Sequence, residues 1–268
     1  MENLLNKIKN KLGESSVLPF SVYSSTFEQK LLNVPIAKPL LIIVISGDKE
    51  LGKTNDIHCA AGQFVFLSDS PAIDMRNIPK NAEYFALLIE FEHNDFSGMP
   101  IEYANPLDYF IGDMAPELEN CIGQFVDCVS WATADILISR KREILNLLYS
   151  LGHKEVLSIM TGAKISHRLH DLFHHKNFQD ITASSICDRF AMSESTLRRK
   201  LRAEGTSIQD IKDRARLGHA LHLLQTTNDP IGIVSDKCGY HSQSRFTERF
   251  KGHFGLTPTE LKKTKLTE

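Results

Sequence analysis

The sequence predicts an α+β chain: a small β-barrel or jelly roll, helices after it, and an all-α C-terminal domain. Three observations predict this. Short β-rich segments punctuated by turn residues fill the first hundred positions. The apolar period changes to 3.6 from about Pro106 onward. The charge also changes sign along the 268 residues. From Lys164 to the end, 18 Lys+Arg face 12 Asp+Glu, a balance of +6; the first 163 residues hold the other 13 basic and 21 acidic residues, a balance of −8, for a total of −2. Such asymmetry points to a nucleic-acid-binding part joined to something else.

Strands are expected in FSVYSST, PLLIIVIS, GQFVFLS and EYFALLIEF, with NVPIAKP, SGDKELGKTND, SDSPAID and NIPKNA as turn material between them. In the last strand Phe85, Leu87, Ile89 and Phe91 alternate with Tyr84, Ala86, Leu88 and Glu90. MENLLNKIKNKLGE is a short amphipathic pattern without the apolar core of a secretion signal, and the longest apolar run, PLLIIVIS, is too short to span a membrane. A cytoplasmic protein is therefore expected. APELENCIGQFVDCVSWATADI and LISRKREILNLLYSLG read as two helices ending near Gly152. Their apolar residues Ile122, Phe125, Val129, Leu145 and Leu148 are too many for two lone helices to expose, so a homodimer through them is expected. The cysteines at 59, 121, 128, 187 and 238 have no CxxC spacing and read as reduced thiols.

The C-terminal part reads as helix throughout. Thr182, Ser193, Ser207 and Ser242 are candidate N-caps; Asp229-Pro230 and Thr257-Pro258 offer caps with proline in the first turn. SICDRFAMSESTLRRKL and IVSDKCGYHSQSRFTERF can be laid on each other at an offset of 48 to 49 as a short helix, a turn and a longer helix. Gly239 is free to take positive φ at the second turn; Ala191 stands at the first. A helix-turn-helix needs one apolar stripe to anchor its second helix and an opposite one that bonds base edges and phosphates. Leu197 and Leu201 supply the first anchor, Phe246 and Phe250 the second. Ser195, Arg198, Arg199, Gln243, Ser244, Arg245 and Thr247 are then candidate base-contacting residues. Arg202, Arg249 and Lys251, with the helix N-termini near Thr182 and Ile231, are candidate phosphate contacts. Glu248 faces the groove, and Arg245 and Arg249 stand close enough to pair with it. SIQDIKDRARLGHALHLLQ between the units is a 19-residue helix, roughly 28 Å long.

Residues 164–263 resemble the DNA-binding domain of the AraC/XylS family of bacterial transcription regulators. The resemblance rests on MSESTLRRKLRAEGTS, RLGHALHLL, DPIGIVSDKCGY and SRFTERFKGHFGLTPTEL, the last similar to a Phe-Lys-x-x-Phe-Gly-x-x-Pro signature at Phe250, Lys251, Phe254, Gly255 and Pro258. It implies two helix-turn-helix units bridged by a long helix. VISGDKELGKTNDIHCAAGQFVFLSDSPAID, EYFALLIEF and SRKREILNLLYSLG are similar to a regulatory domain attached to one branch of that family. This implies a cupin-like barrel at about 18–100 and dimerising helices at about 106–152, so residues 1–155 would sense a small molecule and residues 160–268 would bind DNA. The partners implied are double-stranded DNA, RNA polymerase, a small-molecule effector and a second copy of the chain.

An oxygenase in the barrel would need clustered metal ligands; His58 stands alone, and His93 is distant with Asp95 beside it. His167, His170 and His174 fall on one helix face, where packing explains them better than a metal. Cys187 and Cys238 lie in the first helices of the two units, which argues against a reactive repair thiol. No P-loop, dinucleotide fingerprint or Ser-His-Asp motif is present. The expectation is a DNA-binding regulator, an activator, that is not an enzyme and holds no cofactor or metal. A ligand-independent DNA-binding protein or anti-activator and an enzyme with an appended DNA-binding domain are the alternatives.

Overall fold

The computed structural model describes residues 1–12, 18–100, 106–159, 164–175 and 181–265. Helix α1 (Glu2–Leu12) precedes nine strands: β1 (Ser21–Ser25), β2 (Gln29–Ile36), β3 (Leu40–Ser46), β4 (Asp48–Leu51), β5 (Ile57–Ala60), β6 (Gln63–Leu67), β7 (Ser70–Ile78), β8 (Tyr84–Glu90) and β9 (Tyr109–Asp113). They form two antiparallel sheets, ordered β1-β8-β3-β6-β9 and β2-β7-β4-β5. Strand β3 is buried on both faces, which is why PLLIIVIS is a continuous apolar run. Leu41, Ile43 and Ile45 turn to the helices, Leu40, Ile42 and Val44 to the second sheet.

The turn material holds more strand than its sequence suggests. NVPIAKP begins inside β2, SGDKELGKTND contains β4, and SDSPAID opens β7. Pro35 is tolerated because β2 is an edge strand with irregular register around Val34. Lys30 and Asn33 face water, so the outer pattern is polar and the β signal weak. Strand β9 likewise falls after Pro106, where helix is expected.

Helices α2 (Pro116–Cys128) and α3 (Ala134–Ser150) pack with α1 on the outer face of the first sheet. The expected first helix stops at Cys128, short of Ile136. Ile122, Phe125, Leu145 and Leu148 are fully buried in this core, and Val129 packs against it. The argument for a dimer from those residues is thereby overturned: the barrel itself covers the surface they would have exposed. The short α4 (Val156–Ile159) leads to seven further helices: α5 (Ile165–His175), α6 (Ala183–Phe190), α7 (Glu194–Ala203), α8 (Ile208–Thr226), α9 (Ile231–Lys237), α10 (Gln243–Phe254) and α11 (Pro258–Thr264). Part of the expected domain junction, residues 160–163, lies outside the described residues. Leu169, Phe173, Ile186, Leu197, Leu201 and Ile211 make one core; Leu221, Val234, Phe246, Phe250, Phe254 and Leu261 belong to the same core as the inner faces of the two sheets.

Candidate nucleic-acid interface

Each unit is built by local rules. In the first, the Thr182 side chain accepts from the Ser185 amide while Ser185 bonds back to Thr182, closing a capping box at α6. Helix α6 ends at Ala191, whose φ of 50° is left-handed. The first turn thus takes the same hand as the second, where Gly239 has φ 75°, and carries the strain of a Cβ there, about 1 kcal/mol. Ser193 caps α7 by accepting from the Thr196 amide at 3.3 Å. Leu197 and Leu201 are fully buried, which fixes the rotation of α7 and leaves Ser195, Arg198, Arg199 and Arg202 exposed. The Arg198 Nε donates to Glu194 at 2.8 Å and its Nη2 stands 2.6 Å from the same carboxylate. Arg199 and Arg202 carry no protein partner among the described residues, so their guanidinium donors stand unused.

In the second unit Asp229 does not cap α9; Pro230 occupies the N-cap and the Asp229 carboxylate accepts from Lys237 at 2.7 Å. Proline fixes φ there, and the carboxylate has a cation to reach instead. Ser242 caps α10, and Thr257 closes a capping box with Glu260 at α11. Phe246, Phe250 and Phe254 are fully buried and follow one another along the helix as tilted rings with centroids 5.7 and 4.6 Å apart. Gln243, Ser244, Arg245, Arg249 and Lys251 are exposed and Thr247 half-buried.

These residues do not share one face. At 100° per residue Ser244, Thr247 and Lys251 lie on one flank of α10, and Arg245, Glu248 and Arg249 on the other. The second flank lines an open cleft of about 830 Å³ with Asp210, Asp213 and Arg214 of α8 and with Asn33 and Ala72 of the barrel. Glu248 makes no ion pair with Arg245 or Arg249 among the described residues. This cleft is invisible in the sequence, since it depends on β2 reaching α10, where the Asn33 Nδ2 donates to the His253 carbonyl at 3.0 Å.

A second cleft, of about 330 Å³, lies between barrel and α8. Tyr23, Val34, Ile36, Met75 and Leu88 give it apolar walls; Lys38, Lys141 and His222 stand at its polar side. Lys38 reaches Glu92 at 2.6 Å and Lys141 donates to the Glu90 carbonyl at 2.6 Å. Burial pushes the Tyr23 phenol up.

The other titratable candidates have structural partners. His58 bonds Asp48 at 3.1 Å. His167 pairs with the buried Asp69 and stacks on His93 at 5.9 Å, tying α5 to the barrel; the side chain of His174 lies outside the described residues. Asp95 caps its own short 3-10 helix (His93–Phe96) by accepting from the Glu92 amide. All five thiols are free, and burial pushes Cys238 up to about 12. Among the described residues no group of three or more His, Cys, Asp or Glu stands in ligating geometry, and no helix is long and apolar enough to cross a membrane.

Residues 186–264 match the helix-turn-helix domain family HTH_18. The HTH-type transcriptional regulator GadX of Escherichia coli O6:H1 is 38% identical over 87 residues, 32% of this chain and 32% of GadX. The porin thermoregulatory protein EnvY of E. coli K12 is 40% identical over 88 residues, 33% of each chain. The regulator YdeO of E. coli K12 is 30% identical over 112 residues, 41% of this chain and 44% of YdeO. The chain thus matches about a third of the length of the first of these relatives. Over nearly its whole length it has the fold of ToxT from Vibrio cholerae: apo ToxT superimposes with a TM-score of 0.69 at 14% identity, covering 94% of this chain and 100% of ToxT. ToxT with a bound unsaturated fatty acid gives 0.64 at 15% identity, covering 93% and 96%. Residues 186–264 thus form a helix-turn-helix domain similar to that of AraC-type regulators.

Proposed function

We propose that the chain is a sequence-specific DNA-binding transcription regulator and not an enzyme. One observation carries this reading: two tandem units each hold a capped helix by a fully buried apolar stripe and leave Arg, Ser and Gln side chains exposed on its other faces. Ser195, Arg198, Arg199, Gln243, Ser244, Arg245 and Thr247 contact bases; Arg202, Arg249 and Lys251 contact phosphates. Activation through RNA polymerase, a homodimer formed by a surface other than the buried α2 and α3 residues, a cytoplasmic location and a division into residues 1–155 and 160–268 belong to the same proposal.

The regulating ligand sits in the cleft between barrel and α8. ToxT, which shares the fold, has been crystallised with an unsaturated fatty acid. Apolar walls beside two lysines suit an elongated acid of that kind. The alternative, a DNA-binding protein without ligand control, is favoured by one observation: Lys38 and Lys141 already have protein partners.

The test is selection of a site from random DNA by the full chain, followed by titration at several salt concentrations. A selected sequence bound with an affinity falling as salt rises supports the reading, the log–log slope being about −0.9 per phosphate neutralised. No enrichment of any sequence would contradict it. Mass spectrometry of the purified chain, with and without added fatty acid, separates the liganded from the ligand-free version.

A further inference from the structure

The inner face of the four-stranded sheet carries one polar row. Gln29, Asn77, Lys49 and Cys59 stand side by side on β2, β7, β4 and β5, next to the apolar row Leu31, Met75, Leu51 and Ile57. All four are buried, Lys49 to 1% exposure. The Lys49 Nζ donates to Asn77 Oδ1 at 2.7 Å, and Asn77 Nδ2 donates to Gln29 Oε1 at 2.9 Å. The same oxygen accepts from Gln225 Nε2, in the last turn of α8, at 3.1 Å. Gln29 Nε2 donates to Thr264 Oγ1 of α11 at 2.8 Å. The chain therefore starts inside the barrel and ends on two helices that pack in the second helix-turn-helix unit.

We propose that Lys49 and the hydrogen-bond chain it starts form a proton-sensitive latch holding the second helix-turn-helix unit against the barrel. The Lys49 nitrogen donates to Asn77 Oδ1, which leaves the Asn77 NH2 for Gln29, whose oxygen also accepts from α8. An ammonium is costly where Lys49 stands. No carboxylate pairs with it among the described residues, and Asn77 is its one hydrogen-bond acceptor. Among the described residues the Tyr84 hydroxyl, the Ser25 hydroxyl and the Gln225 Oε1 are also buried without a hydrogen-bond partner. Separating Gln225 and Thr264 from Gln29 would let water reach the row.

The Lys49 Nζ stands over the Tyr84 ring, 5.6 Å from its centroid, and among the described residues no carboxylate pairs with it. Cys59 on β5 is pushed up to about 12 by burial, and burial raises the phenols of Tyr84 on β8 and Tyr23 on β1, so all three stay neutral at ordinary pH. Asp48 engages His58 and Lys80, and Arg76 engages Glu28 and Glu50. Helices α8 and α11 present uncharged Gln225 and Thr264. Burial pushes Lys49 itself down to about 7, from an ordinary 10.5. Between those values a solvated Lys49 holds a proton that the closed latch does not. Closure is therefore favoured as pH rises through this window, opening is favoured as pH falls toward the lower value, and the dependence flattens below it.

The experiment uses the full chain, spin-labelled at Lys53 and Thr259 in a Cys187→Ser background, with the inter-label distance distribution followed from about pH 7 to about pH 9. The open fraction should fall as pH rises, by up to about tenfold per pH unit, the limit for one proton. Lys49→Met should stay closed throughout with no pH dependence. A wild-type distribution that does not change, or an unchanged pH response in Lys49→Met, overturns the latch. The wild-type Lys49 side-chain nitrogen resonance gives a second reading that needs no variant: titration near the ordinary lysine value overturns the proposal, and titration well below it supports it. Neither measurement depends on the DNA site or on an effector.

Discussion

The two helix-turn-helix units share a plan and differ in what holds them. The first keeps a core of its own around Phe173, Ile186, Leu197 and Leu201. The second is built into the core of the barrel: Phe246, Phe250, Phe254 and Leu261 share one continuous cluster with Ile42, Val65 and Leu88. Helix α8 serves both, giving Ile211 and Ala215 to the first core and Leu217, Ala220, Leu221 and Leu224 to the second. Side chains that touch no water must move together or not at all. A change in the barrel therefore reaches the second reading helix through close packing. It reaches the first through α8 and through His167, which pairs with Asp69 and stacks on His93.

Breaking the cores separately gives the largest effects. Phe250→Ala should cost about 3–5 kcal/mol and loosen barrel and second unit in one transition, whereas Leu197→Ala, at about 2–5 kcal/mol, should loosen the first unit and leave barrel amides protected from exchange. Next in size is recognition. Arg199→Ala should cost about 1–3 kcal/mol of DNA affinity and relax one base position, read by repeating the site selection; an equal loss on every sequence would make Arg199 a phosphate contact. The turns give a smaller contrast. Ala191→Gly should stabilise the first unit by about 1 kcal/mol, while Gly239→Ala should destabilise the second by a similar amount, both visible in denaturant midpoints. The smallest effect concerns Glu204, whose carboxylate accepts from the Ile165 and Ser166 amides and ties α5 to α7. Burial raises its pKa, but these bonds outweigh it and the net shift is downward. Its stabilisation is therefore present above the ordinary carboxylate value and lost as pH falls through the lowered one. Glu204→Gln should cost about 0.5 kcal/mol at neutral pH, after allowance for solvent screening, and flatten the acid side of the stability profile.

Much of this comparison was legible in the sequence, because much of it is local. Ser193, Ser207, Ser242 and Thr257 cap where a hydroxyl precedes an apolar period, and the four-residue spacing of Phe246, Phe250 and Phe254 fixes the anchored face of α10. What escaped depends on contacts distant in the chain. Strands β2, β4 and β7 carry polar residues because one face meets water or the inner polar row, so their alternation resembles turn material. Ile122, Phe125, Leu145 and Leu148 form an apolar surface whether a second copy or a sheet covers it, and only the fold shows that the sheet does. Lys49 lies in the turn-like stretch SGDKELGKTND, and its surroundings come from far along the chain: Asn77 is 28 residues from Lys49, Gln29 is 48 from Asn77, and Gln225 is 196 from Gln29. The split of the α10 residues between two flanks follows from periodicity, but the cleft on one flank does not.

The second unit is held by the barrel, and the first holds itself. Amide hydrogen exchange of the full chain and of residues 160–268, compared under one set of conditions, tests this directly. Removing the barrel should leave the amides of α6 and α7 as protected as before and sharply lower protection in α10 and α11. Equal protection of both units in the fragment, or a greater loss in α6 and α7, would contradict it.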